Sequence, residues 1–457
     1  MSPSARRAYE WFLALVLGAT IFTFVCGSSA VIPVLNASRP IRWGMFGGLT
    51  VLAVAYAAAW GSRLPLLRVA APLGAALVAL AAVSTAWSVD PRITFGRAGA
   101  VGLLFAAATA LASGAAGRPE SVRTLLVGLV GGATAVAFAG IVVLVFSHAE
   151  AVQPASTQYG SRYRGLGQNP NTVAALLSVI VPANVALLLR ARSRGGRAAA
   201  LTVLLFLDGS MVASGSRGAM VAAFAGTIVV AAAARAPRPR AVLVGAAVVV
   251  FVLNLALTQL SAPKTAEAKV EVPADTRDAE KILPLESEIG RGRLDRPAPR
   301  IHRTLFGASG RGQAWGGAIE QVAARPIAGY GFGTESRVFV DRYFYFSSAS
   351  PENSYLAILL QLGAVGGLVL LALLASVLAA LWKALAAGTE PLLAAAGAGG
   401  FVAGLVLAVV QSYLLSLGNV ATASVWICAC LACAQIAGTA LLRRPSRVTT
   451  ASVPKTR

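Results

Sequence analysis

The chain has 457 residues, of which 57% are hydrophobic and 12% charged. Soluble domains carry about 25% charged residues, so a soluble globular enzyme is excluded and a polytopic membrane protein is indicated. The formal net charge of +21 would suggest nucleic acid in a soluble protein. Here membrane topology absorbs it, so no nucleic-acid partner is expected and the lipid bilayer is the surrounding medium.

Twelve apolar spans are read in chain order: roughly 11–35, 42–60, 64–86, 96–115, 122–147, 170–190, 198–213, 217–234, 241–259, 353–382, 391–415 and 419–442. The first follows Arg6 and Arg7 and lacks a small-residue cleavage site, which reads as a retained helix and not a removed signal. The predicted fold class is therefore all-α, with about twelve transmembrane helices and one large loop before the tenth. Residues 1–259 hold the first nine helices, 260–352 the loop, 353–442 the last three and 443–457 a basic tail.

Orientation follows from the 39 Lys and Arg residues. With the N-terminus in the cytoplasm, 19 fall in cytoplasmic segments, 7 in short outer segments and 13 in the long loop, which the positive-inside rule does not count. This bias predicts a multi-pass protein of the cytoplasmic (inner) membrane, with both termini cytoplasmic and the loop outside. Within the loop, 261–300 is rich in Pro and charge and is read as mobile. At 311–324, Ala314, Trp315, Ala318, Ile319, Val322 and Ala323 recur at helical spacing, predicting an amphipathic helix. Gly329-Tyr330-Gly331-Phe332-Gly333 then makes a tight turn.

The polar motifs gather where even-numbered helices begin, at the outer surface. Trp87-Ser88-Val89-Asp90-Pro91-Arg92 precedes the fourth helix and Arg162-Tyr163-Arg164-Gly165-Leu166-Gly167-Gln168-Asn169-Pro170-Asn171 the sixth. Ser214-Gly215-Ser216-Arg217-Gly218 precedes the eighth and Pro351-Glu352-Asn353-Ser354-Tyr355 the tenth. In the second motif Asn169 suits the N-cap and Pro170 the first helical position. Arginines beside the positive ends of helix dipoles favour an anion, and the guanidinium fork matches a phosphate. The alternative is an ordinary row of helix starts with interfacial arginines. Asp208, within the seventh span, is expected to pair with Arg217. Cys26, Cys428, Cys430 and Cys433 lie in apolar runs and read as packing residues. His148 and His302 have no second ligand nearby, so no metal site is expected.

Taken together, these four stretches resemble the O-antigen ligase/polymerase family of envelope glycosyltransferases. The likeness extends through Trp315 to Pro326, Gly329-Tyr330-Gly331 and Asn353-Ser354-Tyr355-Leu356 with Gly363, and spans about residues 80–370. The resemblance implies transfer of a glycan from an undecaprenyl-diphosphate carrier to an acceptor hydroxyl on a glycan, lipid or protein, outside the cytoplasmic membrane and without cofactor or metal. It assigns Arg162, Arg164 and Arg217, with Asn169 and Asn171, to the diphosphate. Arg217 and Glu352 are the catalytic candidates, and Asn353, Tyr355 and Trp315 shape the acceptor side. The family often has His before the Asn of Asn-Ser-Tyr-Leu; this chain has Glu352, a carboxylate able to act as general base or merely to favour the helix start. The alternatives are a repeat-unit polymerase, a small-solute transporter and an inactive scaffold relative.

Overall fold

Helix boundaries follow the punctuation of the sequence closely, and they depart from simple span-counting at glycine and polar breaks. The computed structural model describes residues 2–154, 161–234, 237–260, 311–339, 350–387 and 390–436. The 261–300 segment, His302, the aromatic run Tyr343–Phe346 and the basic tail lie outside the described residues. The helices are α1 (Pro3–Cys26), α2 (Ile32–Ser38), α3 (Ile41–Trp60), α4 (Ala70–Val83), α5 (Pro91–Ala115), α6 (Pro119–Phe146) and α7 (His148–Ala151). There follow α8 (Pro170–Arg190), α9 (Arg194–Ala213), α10 (Arg217–Ala232), α11 (Pro237–Leu260), α12 (Arg311–Ala324), α13 (Glu335–Val338), α14 (Ser354–Ala387), α15 (Pro391–Ala408) and α16 (Val420–Cys433). Two short strands, β1 (Val152–Gln153) and β2 (Arg162–Tyr163), pair antiparallel.

The chain is an all-α polytopic membrane protein. Among the described residues nine helices are long and apolar enough to cross a bilayer, and α4 with its 3-10 extension, α10 and α16 are shorter apolar helices. Three spans read from hydropathy are corrected. The first ends at Cys26 and not near 35, because Gly27-Ser28-Ser29 closes its last turn onto the Thr23, Val25 and Cys26 carbonyls. The eleventh stops at Ala408, and residues 409–419 form a non-helical connection that hydropathy alone absorbed into the span. The tenth is broken at Gly363, whose φ of 60° and ψ of −159° interrupt the helix.

The centre of the bundle is α8, α10, α15 and α16. In α8 and α15, 72% of the apolar window is buried within the protein, against 6% in α11, which therefore faces lipid. Small residues make the close packing possible: a methyl group at Gly226 of α10 would collide with the Gly399 carbonyl of α15 and with Pro182 of α8. That three-helix contact fixes α8 and α10 side by side.

Polar groups collect at two separate ends. At one, Arg118 Nη2 donates to the Trp60 carbonyl at 2.7 Å, and Arg190 bridges Glu120 at 2.7 Å and Glu390 at 3.3 Å. There too Glu10 accepts from Tyr56 at 2.8 Å and from Ser121 at 2.7 Å. The other end carries all four polar motifs.

Candidate functional site

The site is built from the helix starts at this second end. Asn169 caps α8 as its sequence suggests: its Oδ1 accepts from Asn171 N at 2.9 Å and Thr172 N at 3.1 Å. Pro170 brings no N–H, so the first backbone donors of α8 are already used. The positive end of the dipole remains, but an anion there would be held by guanidinium groups and not by the α8 backbone.

Arg162 supplies one of those groups. It sits in β2, half-buried, with Nε donating to the Ser214 carbonyl at 2.7 Å and Nη2 donating to Asn171 Oδ1 at 3.1 Å. The two sequence motifs thus meet through this side chain. Arg217 follows the gripped carbonyl by three residues, so their backbones lie within roughly 11 Å, the reach of three extended residues. The turn is made by Gly215, at φ 61°, where only glycine is comfortable. Ser216 is the N-cap of α10 but makes no side-chain cap bond.

Arg164 takes a different course. Its Nε donates to the Glu150 carbonyl at 2.8 Å and its Nη2 to Ala149 at 3.4 Å, closing the end of α7. Between the two arginines Tyr163 is buried, and burial pushes its hydroxyl up to about 12, with Ser210 opposing. Asp208 accepts from Asn254 Nδ2 at 2.9 Å, a partner on α11 that the sequence expectation of Arg217 overlooked.

The start of α14 lies against the same wall. Gly218 packs on Val410, and two residues on, Ser412 Oγ accepts from Asn353 N at 2.9 Å. Asn353 is the cap: its Oδ1 accepts from Tyr355 N at 2.9 Å and Leu356 N at 3.0 Å. Ser354 Oγ donates to the Gln411 carbonyl at 2.6 Å and accepts from Tyr413 N at 2.9 Å. Tyr355 spends its hydroxyl on the Leu405 carbonyl at 3.0 Å, so it shapes the site by holding α14 to α15. Trp315 Nε1 donates to the Pro351 carbonyl at 3.0 Å, seating α12 beside this turn. Glu352, half-buried between them, is the one non-glycine residue with positive φ (51°) among the described residues. Such a conformation costs about 1–3 kcal/mol and persists only where the surroundings impose it.

The first motif joins the loop turn. Trp87 Nε1 donates to the Ala328 carbonyl at 3.0 Å, Val89 N to Tyr330 O at 3.0 Å, and Phe332 N to Ser84 Oγ at 3.0 Å. On its other edge the turn fills the break in α14. Tyr330 N and Gly331 N donate to the Leu360 and Gln361 carbonyls at 3.1 and 2.8 Å, and Ala364 N donates back to Pro326 O at 2.7 Å. A side chain at Gly363 would collide with Ile327, and one at Gly329 would stand 2.5 Å from the Gln361 carbonyl carbon.

Beneath this lies a polar cluster that the motif reading missed. Glu335 is buried. Its Oε1 is 3.9 Å from Arg97 Nη1, and its Oε2 accepts from Gln361 Nε2. Gln361 Oε1 accepts from Gly333 N at 2.7 Å, and Arg97 also donates to the Gly333 carbonyl. Burial pushes the Glu335 carboxyl above the usual carboxylate range, with Arg97 opposing. The available signals were weak: a single acid after Gly-Tyr-Gly-Phe-Gly-Thr, and Gln411-Ser412-Tyr413 inside an apolar run.

Comparison with known proteins adds one finding. Residues 200–371, from α9 into α14, match the family model described as O-antigen ligase. The match bears out the family resemblance drawn from the motifs. It contains Arg217, Trp315, Glu335, Glu352, Asn353 and Tyr355, whereas Arg97, Arg162 and Arg164 precede it. That family is one of membrane glycosyltransferases and ligases. None of the curated proteins compared with the chain matches it.

Proposed function

We propose that this membrane protein transfers a glycan from an undecaprenyl-diphosphate carrier to an acceptor hydroxyl, at the outer face of the inner membrane. The observation that carries this reading is the Arg162 bridge between the α8 start and the Ser214–Gly218 turn, in a chain whose 200–371 region matches O-antigen ligases. The lipid tail would lie in the bilayer and the diphosphate between Arg162 and Arg217. Asn171, whose oxygen already orients Arg162, is a positioning residue, and Asn169 keeps the helix start in place. Arg164 contributes charge at the rim. Charge-assisted contacts to the departing diphosphate strengthen as negative charge develops on it, which lowers the barrier. Glu352, held in its strained turn by Trp315 on one side and the Asn353 cap on the other, faces the acceptor and orients or deprotonates it.

The transporter reading has one observation in its favour, the interruption of α14 at Gly363. Broken helices in transporters expose backbone groups to a substrate at mid-membrane. Here those groups bond to Pro326–Gly331 of the same chain, which supports the enzyme. Whether the acceptor is a lipid-linked core, a protein or a growing glycan separates ligase from polymerase, and the ligase is the reading favoured by the family match.

The test is reconstitution of the full chain in lipid with undecaprenyl-diphosphate-linked glycan and a series of acceptors. Release of undecaprenyl diphosphate that depends on acceptor and is lost in Arg217→Ala is expected. No release with any acceptor would sink the reading.

A further inference from the structure

The transfer reaction sheds a proton; with Glu352 kept to orienting the acceptor hydroxyl, the structure offers a separate place for that proton. A pocket of about 30 Å³ lies against the first two turns of α14, enough for about two water molecules. Glu335 and Arg97 line one side, Ser354 and Gln361 the helix side, and Ser412 and Ser416 the connection after α15. The Ser412 hydroxyl that lines it also accepts from Asn353 N, so one hydrogen bond links the pocket wall to the residue following Glu352. Its inner end is a buried carboxylate whose protein partners satisfy it only in part. One oxygen has Gln361, whose amide orientation is set by Gly333 N–H. The other has Arg97 at 3.9 Å, beyond hydrogen-bond length. A buried carboxylate so placed gains from taking a proton.

We propose that Glu335 is the proton acceptor of the site, receiving through water in this pocket the proton lost by the acceptor hydroxyl. The proposal rests on the glycan-transfer reading and deepens it. In the balanced step the acceptor O–H breaks and its oxygen forms the new bond to the anomeric carbon. The bond from that carbon to the diphosphate oxygen breaks, its electron pair leaving with undecaprenyl diphosphate. The proton rests on Glu335 and returns to solvent before the next turnover. The groups facing Glu335 are Arg97 from α5, Gln361 from α14 and Tyr413 from the 409–419 connection. Arg337 on its own helix is drawn away by Asp90 at 3.4 Å. α12 presents the neutral Gln321 to the Val338 carbonyl. Arg97 is thus the group that keeps the carboxylate form accessible, and the loss of its charge would raise the pH at which Glu335 becomes a base.

The experiment uses the full chain in lipid vesicles, as wild type, Glu335→Gln, Glu335→Asp and Glu352→Gln. Transfer is followed across pH with undecaprenyl-diphosphate-linked glycan and a glycan acceptor. Binding is followed separately with undecaprenyl diphosphate alone, and carboxyl protonation by infrared difference titration. Glu335→Gln is expected to lose about 100-fold or more in transfer rate, within the range for a lost general base, while lipid binding stays within twofold. Glu335→Asp should recover part of the rate, and the wild-type infrared spectrum should contain a titrating carboxyl absent from Glu335→Gln. The rate should rise with pH as that carboxyl deprotonates, and the rise should vanish from the residual activity of Glu335→Gln. Glu335→Gln within twofold of wild type overturns the proposal. So does loss of lipid binding together with rate, or a rising limb that persists in Glu335→Gln and disappears in Glu352→Gln. Absence of transfer by wild type that still binds the lipid would instead remove the glycan-transfer reading itself.

Discussion

The two ends of the helix bundle hold their arginines in different ways. At the Arg190 end, cations meet carboxylates: Arg190 with Glu120 and Glu390, and Arg6 with Glu10 at 3.5 Å. At the Arg162 end, Arg164 donates only to backbone carbonyls among the described residues, and Arg162 grips a carbonyl and an amide oxygen. A carboxylate partner cancels a cation's charge. A neutral acceptor fixes its geometry and leaves its charge to act on something else. Arg190 thus ties helices together through charge pairs, whereas Arg164 ties its loop through carbonyls; the second end also holds carboxylate pairs of its own, Arg97 with Glu335 and Arg337 with Asp90.

This contrast can be broken by substitution. Arg162→Ala and Arg217→Ala should each lower the rate of undecaprenyl diphosphate release by about 100-fold or more, as loss of one transition-state donor does elsewhere. Unfolding temperatures should move little; equal losses of rate and stability would reduce the second end to scaffolding. Gly363→Ala should destabilise by about 1–3 kcal/mol, because it combines a positive φ with a collision against Ile327; thermal unfolding in detergent checks it. Asn171→Ala should cost about tenfold in transfer, by releasing Arg162 from a charge-assisted bond, with the loss restored by Asn171→Asp only if that added charge does not repel the diphosphate. A kcat and KM measurement on both variants separates these.

The pH dependence of stability sharpens the same contrast. Folding raises the Glu335 carboxyl above its ordinary value of 4.5, so the folded chain binds more protons there than the unfolded chain. Stability from this group is therefore fully present below about 4.5 and is lost as pH rises through the higher folded value. Relative to Glu335→Gln, wild type should lose unfolding temperature as pH increases from 4.5; a constant difference would mean that burial does not perturb the group. The smallest effect is expected at the opposite end. Arg190→Gln should cost about 1 kcal/mol or less, since the Glu120 partner is two-thirds exposed, with transfer rate per folded molecule unchanged.

The sequence made the helices and the capping residues readable for local reasons. Asn169-Pro170 and Asp90-Pro91 start helices through their own chemistry, and apolar composition marks the spans. The convergence of the Arg162 and Arg217 motifs was visible only as a shared side of the membrane; the actual bridge runs from a side chain to a backbone carbonyl 52 residues away, and carbonyls are silent in a sequence. For the same reason Arg164 looked equivalent to Arg162 until its carbonyl partners separated them. Glu335 and Gln361 were hidden because their partnership depends on a helix break. Gly363 in an otherwise apolar run reads as a tolerated glycine, and nothing local says that a turn from the preceding loop will fill the gap.

That interruption also constrains how the chain is made. Ribosomal synthesis delivers Pro326–Gly333 before α14, yet the backbone bonds around Leu360–Val365 need both. A helix entering the bilayer with its middle unbonded would carry bare peptide groups into hydrocarbon, at several kcal/mol each. The segment must therefore enter as a continuous helix and open later, or wait at the interface until the loop has docked. A late locking step is the expected consequence, and a chain stalled before it would present an intact hydrophobic helix without a formed Glu335 pocket.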